Sequence, residues 1–75
     1  MKYYPRLRDL REDEDKTQRE IAEYLEDSRQ HYQLYESGKI QIPFDKVIQL
    51  AKYYDVSIDY IAGLTNDKSK KWKQK

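Results

Sequence analysis

The chain has 75 residues, which is enough for one small domain but not for a second hydrophobic core. Cysteine is absent and histidine occurs once, which excludes a disulfide framework, a thiolate zinc site and a cysteine nucleophile, so we expect no metal and no cofactor. No apolar run is long enough for a membrane span or a secretion signal, which predicts a cytoplasmic protein without membrane contact. Mean hydropathy is low, at −1.20, but eight tyrosines favour a folded chain over a disordered one.

Charge is distributed unevenly along the chain, although the net charge is only +1. Residues 66–75 contain five lysines and one aspartate, which leaves residues 1–65 slightly acidic. Total charge therefore gives no nucleic-acid signature, and any such function must be argued from local placement. We predict a folded domain over 1–65 and a basic, disordered tail over 66–75, in which Trp72 has no assigned role.

The first predicted helix begins at Pro5, a residue that suits the first turn of a helix. Leu7 and Leu10 follow at helical spacing and supply its apolar side. We expect the helix to end in the acidic run at 12–15, because acidic side chains at a helix C-terminus oppose the helix dipole. The same run has no nucleophile or metal set beside it, which argues against acid–base catalysis and against an enzyme.

Two short helices joined by a very short turn follow, over 17–25 and 28–36. Thr17 and Glu20 form a capping box at the start of the first, Ser28 caps the second, and Gly38 suits the end of the second. Such a short connection predicts a sharp crossing of the helix-turn-helix type, with Ala22 as the small residue at the contact.

A fourth helix begins at Pro43 and a short fifth helix is capped by Ser57. The inward positions of the fourth are predicted to be Phe44, Val47, Ile48, Ala51 and Tyr54. The fifth helix carries apolar residues that could form either core or a dimer surface, namely Ile58, Ile61 and Leu64. Four tyrosines are expected at the core or its edge with their hydroxyls reaching outward: Tyr32, Tyr35, Tyr54 and Tyr60.

If Tyr32 and Tyr35 face inward, the outward side of the helix over 28–36 presents one cation, two amides and one apolar side chain. These candidates for reading base edges are Arg29, Gln30, Gln33 and Leu34. Arginine pairs with guanine, glutamine pairs with adenine, and leucine can contact a thymine methyl in the major groove. The alternative is an ordinary solvated helix face, with Leu34 exposed or buried in a dimer.

The ordered set of motifs resembles the lambda-repressor/Cro (Xre-like) family of prokaryotic and phage DNA-binding proteins, over roughly 6–65. The segments that carry the resemblance are Arg6–Arg11, Thr17–Leu25, Ser28–Gln30, Tyr35–Gly38, Pro43 with its helix, and Val56–Gly63. Each segment alone is weakly specific, but together they occur in the order and at the spacing of the family. The resemblance implies an all-α fold, a compact five-helix lambda-repressor-like domain with a central helix-turn-helix.

The resemblance also implies roles for individual residues. Gln18 would bind a phosphate and brace the first base-reading residue, Arg29. Lys39 and Gln41 would touch the DNA backbone from the loop after the recognition helix. Ser28 and His31, near the start of that helix, are further candidates for phosphate contact, and Arg11 with Glu36 would form a buried structural ion pair.

Three positions depart from the family, and two of them lie in the turn. Glu26 stands where glycine is usual, so a residue with a side chain must adopt a left-handed conformation. Asp27 and Lys16 stand where apolar residues are usual. Acidic residues beside the DNA face are expected to weaken non-specific affinity.

The sequence thus predicts sequence-specific binding of double-stranded DNA by a transcriptional regulator, acting as a repressor or autoregulator. A homodimer is expected, because a module this small reads few base pairs and dimers bind half-sites about 34–36 Å apart. The alternative is a protein-interaction module of the same fold, such as an antitoxin or anti-repressor partner, which the acidic body favours.

Overall fold

The computed structural model describes residues 4–68 and confirms the predicted all-α fold with five helices. They are α1 (Pro5–Asp13), α2 (Gln18–Tyr24), α3 (Arg29–Ser37), α4 (Phe44–Tyr54) and α5 (Ile58–Ala62). Within this part of the chain there is no strand, and none of the helices has the length and apolar character needed to cross a membrane.

The starts of α2, α3 and α5 are fixed by side-chain caps. The Glu20 amide donates to the Thr17 hydroxyl over 3.1 Å and the Thr17 amide donates to the Glu20 carboxylate over 2.8 Å, which completes the predicted capping box. The hydroxyl of Ser28 accepts from the amide of His31 at the start of α3, and the hydroxyl of Ser57 accepts from the amide of Tyr60 at the start of α5. These bonds satisfy amides that a helix start otherwise leaves unpaired.

The helix ends also agree with the local sequence. Gly38 and Gly63 end α3 and α5 with φ of 82° and 83°, a left-handed conformation that costs glycine little. Helix α1 stops at Asp13, inside the acidic run, and Asp15 turns the chain with φ of 57°.

All five helices contribute to one hydrophobic core. Its fully buried large side chains are Leu7, Ile21, Tyr32, Leu50 and Ile61. The inward assignment of Phe44 was wrong, since its residue is 65% exposed. As the first residue of α4, Phe44 projects past the packed layer, because helical side chains lean toward the N-terminus. Leu50, which was not among the predicted inward residues of α4, is fully buried.

The sequence left the apolar residues of α5 open between core and dimer surface, and the structure decides for Ile61 and Leu64, whereas it corrects the expectation for two tyrosine hydroxyls. Ile61 is only 1% exposed and belongs to the core, which removes it from a possible dimer surface, whereas Leu64 is 78% exposed. The hydroxyls of Tyr32 and Tyr54 do not reach outward but are buried with no hydrogen-bond partner among the described residues. Burial first, and then the nearby Glu36 carboxylate, raise the pKa of both tyrosine hydroxyls well above the usual range.

The chain after α5 is held against α1 by the side chain of Arg6. The guanidinium lies 4.2 Å from the ring centre of Tyr60 and donates to the carbonyl oxygens of Tyr60 and Thr65 and to the side chain of Asn66. The amide of Ser57 donates to the carbonyl of Lys68 over 3.0 Å. Asn66 and Lys68, which the sequence assigns to the tail, therefore contact the domain, whereas residues 69–75, including Trp72, lie outside the described residues.

Candidate nucleic-acid interface

The turn between α2 and α3 is tight and fixed at several points. Glu26 takes the left-handed conformation that its position requires, with φ of 59°. The amide of Asp27 donates to the carbonyl of Ala22 over 2.8 Å, and the ammonium of Lys46 donates to the carbonyl of Leu25. Ala22 is almost completely buried, which agrees with its predicted place at the crossing of the two helices. The orientation of α3 on α2 is therefore set by backbone and side-chain contacts together.

Helix α3 presents an exposed polar side. Arg29, Gln30 and Gln33 are exposed, and Leu34 is half-buried beside them. Tyr32 and Tyr35 occupy the opposite, buried side, as their spacing predicts. The three polar side chains make no hydrogen bond within the part of the chain that the structure describes, so their donors and acceptors are available to a ligand.

Arg11, Gln18 and Glu36 form a hydrogen-bonded group that joins three helices. The guanidinium of Arg11 on α1 donates to both carboxylate oxygens of Glu36 on α3, over 2.7 and 3.1 Å, and to the carbonyl of Lys16. The side chains of Arg11 and Glu36 are 12% and 4% exposed. The structure thus brings together the two residues that the resemblance pairs.

The electrostatics of this group favour the charged forms. A hydrogen bond from Arg11 to Glu36 raises the pKa of the arginine despite its burial. Burial alone would raise the pKa of Glu36, but hydrogen bonds, above all from Arg11, outweigh it and hold that pKa below its ordinary value. Glu36 is therefore ionised at neutral pH.

Gln18 lies at the first position of α2, as predicted, but its amide is already engaged. Its Nε2 donates to Glu36 over 3.2 Å and makes no bond to Arg29 within residues 4–68. The same contact fixes the side chain at the helix start, beside the exposed residues of α3. Gln18 is thus positioned by the ion pair rather than by the base-reading candidate.

Asp27 and His31 form a second polar group, at the N-terminus of α3. The Asp27 carboxylate accepts from the Ser28 amide over 2.9 Å and lies 2.8 Å from Nδ1 of His31, and the Tyr35 hydroxyl donates to it over 3.3 Å. Partial burial alone would raise the pKa of Asp27, but the bonds from His31 and Ser28 outweigh it and lower that pKa. Asp27 is therefore ionised, and its carboxylate is already engaged in hydrogen bonds within the protein.

A shallow groove beside the start of α2 collects positive charge. Its lining includes Arg11, Lys16, Gln18, Arg19 and Arg29. Arg19 was missed by the sequence reasoning, although its place in the first turn of α2, next to Gln18, could have indicated it. Lys16, one of the departures from the family, adds a further cation here.

The remaining predicted residues lie close to this surface or after it in the chain. Lys39 and Gln41 are exposed in the segment between α3 and α4, and the amide of Lys39 donates to the carbonyl of Leu34 over 3.1 Å. Between residues 4 and 68, no group of three or more histidine, aspartate or glutamate side chains is placed to hold a metal ion. The arrangement offers hydrogen-bond donors, acceptors and cations on one side of the helix pair.

Comparisons with known proteins agree with this arrangement. A family model described as Helix-turn-helix matches residues 7–61. The chain is 41% identical over 73 residues to a protein of Bacillus subtilis (strain 168) that bears the name uncharacterized HTH-type transcriptional regulator YobD. That match covers 97% of this chain and 65% of the relative, so the chain spans less than two thirds of the relative's length. No solved structure gives a significant match. With the family match spanning α1 to α5, the chain belongs to the lambda-repressor-like (Xre-like) helix-turn-helix family.

Proposed function

We propose that this protein is a transcriptional regulator that binds specific sequences of double-stranded DNA with α3 in the major groove. The observation that carries the proposal is the exposed side of α3, where three long polar side chains stand free on a helix of fixed orientation. A major groove about 12 Å wide admits an α-helix, so such a side can reach base edges. The family membership and the name of the relative support the same function.

The base-reading side chains are Arg29, Gln30, Gln33 and Leu34. Arg29 suits a bidentate pair with the O6 and N7 atoms of guanine, and either glutamine suits adenine in the same manner. Leu34 has no hydrogen-bonding group and can only contact a thymine methyl. Because Arg29 and Gln30 occupy the first turn of α3, they reach the groove floor when the helix enters by its N-terminus.

Phosphate contacts would set the register of the protein on the duplex. The groove beside α2 supplies Lys16, Gln18 and Arg19 as partners for the backbone, next to amides at the start of the helix. Lys39 and Gln41 would reach the backbone after α3. Ser28 and His31 are weaker partners in this arrangement, because Ser28 caps α3 and His31 is paired with Asp27.

We further propose action as a homodimer on two half-sites, as a repressor or autoregulator in the cytoplasm. One recognition helix contacts only a few base pairs, and two copies double the contacts at a fixed spacing. Of the three apolar residues predicted for such a contact, Ile61 lies in the core, and Leu64, just after α5, is the one that is largely exposed.

A protein-interaction module of the same fold is the second candidate function. The observation that favours it is the exposed acidic run at 12–15 together with exposed Glu26, which a basic partner could contact. Asp27 supports it less than its sequence position suggests, because its carboxylate is bound to His31. This candidate predicts weak DNA binding that salt removes and a tight protein partner. Neither candidate function predicts any catalytic turnover.

The first experiment is selection of bound duplexes from a random pool, followed by anisotropy titrations at two salt concentrations. The Arg29→Ala/Gln30→Ala variant should lose about 1–3 kcal/mol per base contact on the selected sequence. A matched control, Gln49→Ala/Lys52→Ala, removes the same kinds of group from α4 and should bind as the parent does.

Two results would contradict the proposal. The pool could yield no enriched sequence, or binding could disappear equally for all three proteins as salt rises. Either result would favour the protein-interaction module and direct the search toward a partner protein.

A further inference from the structure

An apolar groove between α4 and α5 has no role in the proposed DNA contact. Ile48, Ala51 and the stem of Lys52 line it from α4, and Ile58 lines it from the first turn of α5. Its volume of about 320 Å³ lies at the lower end of the range for small-molecule pockets, so it suits one large side chain. Ile48 and Ile58 are both half-buried, which leaves apolar surface in contact with solvent.

The chain after α5 runs toward this groove. It leaves Gly63, passes the Arg6 guanidinium at Thr65 and Asn66, and reaches the N-terminal end of α5, where the Lys68 carbonyl accepts from the Ser57 amide over 3.0 Å. The segment over 64–68 therefore runs back along α5 to the start of that helix. Lys68 is thus bonded to the residue directly before Ile58, at the edge of the groove.

The next large apolar residue after Lys68 is Trp72, the single tryptophan of the chain. Four residues of extended chain span at most about 13–14 Å, and Ser57 and Ile58 are separated by only about 3.8 Å between their Cα atoms. The indole can therefore reach the groove from the anchored Lys68 without strain. A tryptophan side chain can bury about 150–250 Å² of surface, so docking of Trp72 in the groove would remove a large apolar area from water.

Charge around the groove is compatible with the basic segment that carries Trp72. Lys70, Lys71 and Lys73 flank the indole, and Asp55 and Asp59 lie at the end of α4 and in the first turn of α5. Lys52 at the groove lining opposes the approach, although its long stem allows its ammonium to turn toward solvent.

We propose that Trp72 docks within its own chain into the groove between α4 and α5, and so anchors the basic C-terminal segment on the side of the domain formed by these two helices. The occupant is this indole rather than a second copy of the domain. The proposal does not depend on DNA binding.

Fluorescence tests this docking directly, because Trp72 is the only tryptophan. In the full chain, its emission should be shifted to the blue and protected from acrylamide, to the same degree at every protein concentration. Ile48→Lys and Ile58→Lys, which place a charge in the groove, should abolish both effects. Phe44→Lys is the matched control, since it introduces the same charge at an exposed residue of α4 outside the groove and should change neither.

Three results would overturn the proposal. The first is emission typical of a water-exposed indole in the full chain, and the second is protection that survives both groove variants. The third is protection that grows with protein concentration, which would place Trp72 on a second copy. Circular dichroism of each variant identifies a loss of folding.

A double-mutant cycle on stability covers the case in which the lysine variants unfold. Ile48→Ala and Trp72→Ala should together destabilise the chain by less than the sum of their separate effects, because each removes the same contact. Phe44→Ala combined with Trp72→Ala should be additive. Additivity in the Ile48 pair would overturn the proposal.

Discussion

The carboxylate of Glu36 ties three helices to one point. It accepts from Arg11 on α1 and from Gln18 on α2, and its own backbone belongs to α3. A buried charge is tolerated only when its partners are in place, so each of the three side chains restricts the other two. This carboxylate, together with the contacts of the turn, holds the start of α2 and the exposed side of α3 in a fixed relative position.

Loss of the charge of Glu36 should destabilise the fold severely. Glu36→Gln removes the buried counter-charge of the Arg11 guanidinium and leaves it the carbonyl of Lys16 and the more exposed carboxylate of Glu12. We expect the free energy of unfolding, measured by urea denaturation, to fall by about 3–5 kcal/mol. Replacing both partners by apolar residues, as in Arg11→Met/Glu36→Leu, should cost much less, because no charge is left buried. A double variant as unstable as the single one would contradict this explanation.

The same carboxylate predicts how stability depends on pH. Because the pKa of Glu36 is lower in the folded chain than in the unfolded chain, the unfolded chain takes up the proton first as the pH falls. The stabilisation is complete above the ordinary carboxyl pKa near 4.3 and is lost as the pH falls through the lowered value. The lowered pKa of Asp27 acts in the same direction.

Urea midpoints measured from pH 7 downward should therefore be steady until about pH 4–5 and then decline. Glu36→Gln should show a shallower decline than the parent chain, because it lacks one of the titrating groups. Equal slopes for the two proteins would show that Glu36 does not contribute to the acid sensitivity.

At the scale of the elements, the turn between α2 and α3 combines a tight geometry with a residue poorly suited to it. Glu26 has φ of 59°, a conformation that costs a residue with a Cβ about 1–2 kcal/mol relative to a right-handed one. Its amide donates to the carbonyl of Glu23, so the conformation is imposed by the end of α2.

Glu26→Gly should therefore stabilise the domain by about 0.5–1 kcal/mol, once the greater freedom of glycine in the unfolded chain is subtracted. Asp15→Gly is the matched control, because Asp15 has nearly the same φ of 57° but aspartate tolerates it better. Thermal unfolding should show a larger gain at 26 than at 15. The reverse order would mean that strain at Glu26 is relieved by its surroundings.

Helix boundaries were predictable because the interactions that set them are local. The cap at Thr17 needs only Glu20, three residues away, and the caps at Ser28 and Ser57 need only amides of the following turn. The exposed side of α3 was predictable in the same way, once Tyr32 and Tyr35 were turned inward. The exposure of Phe44 was not predictable, because periodicity does not show where along a helix the core ends.

At the scale of the whole molecule, contacts between distant parts of the chain limited what the sequence could predict. The three arginines of α1 make different contacts. Arg6 binds the segment after α5. Arg8 pairs with the exposed Glu12, and Arg11 pairs with the buried Glu36. The pair between Arg8 and Glu12 is readable from their spacing of four residues, but nothing in the local sequence indicates the distant partners of Arg6. Only the resemblance to a family singled out Arg11, whose partner Glu36 lies 25 positions away.

Arg6→Ala should release the segment after α5. The guanidinium makes hydrogen bonds to two carbonyls and one side chain, so we expect a loss of about 1–3 kcal/mol in the free energy of unfolding. The amide of Ser57, bonded to Lys68, should exchange its hydrogen faster. Arg8→Ala on the same helix is the control and should change the stability little and leave that exchange rate as it is.

The Arg6 contacts also place the first and last described turns of the domain side by side, since they join residues more than 50 positions apart. Segments that meet at the surface in this way can be linked to each other, or both to a host protein, without opening the core. A circular permutant that joins the segment after α5 to the start of α1 through a linker, with new ends beside Asp15, keeps the buried contacts among the five helices. The position of α1 in the domain thus depends on its packing against the other helices and not on its being the first helix in the chain.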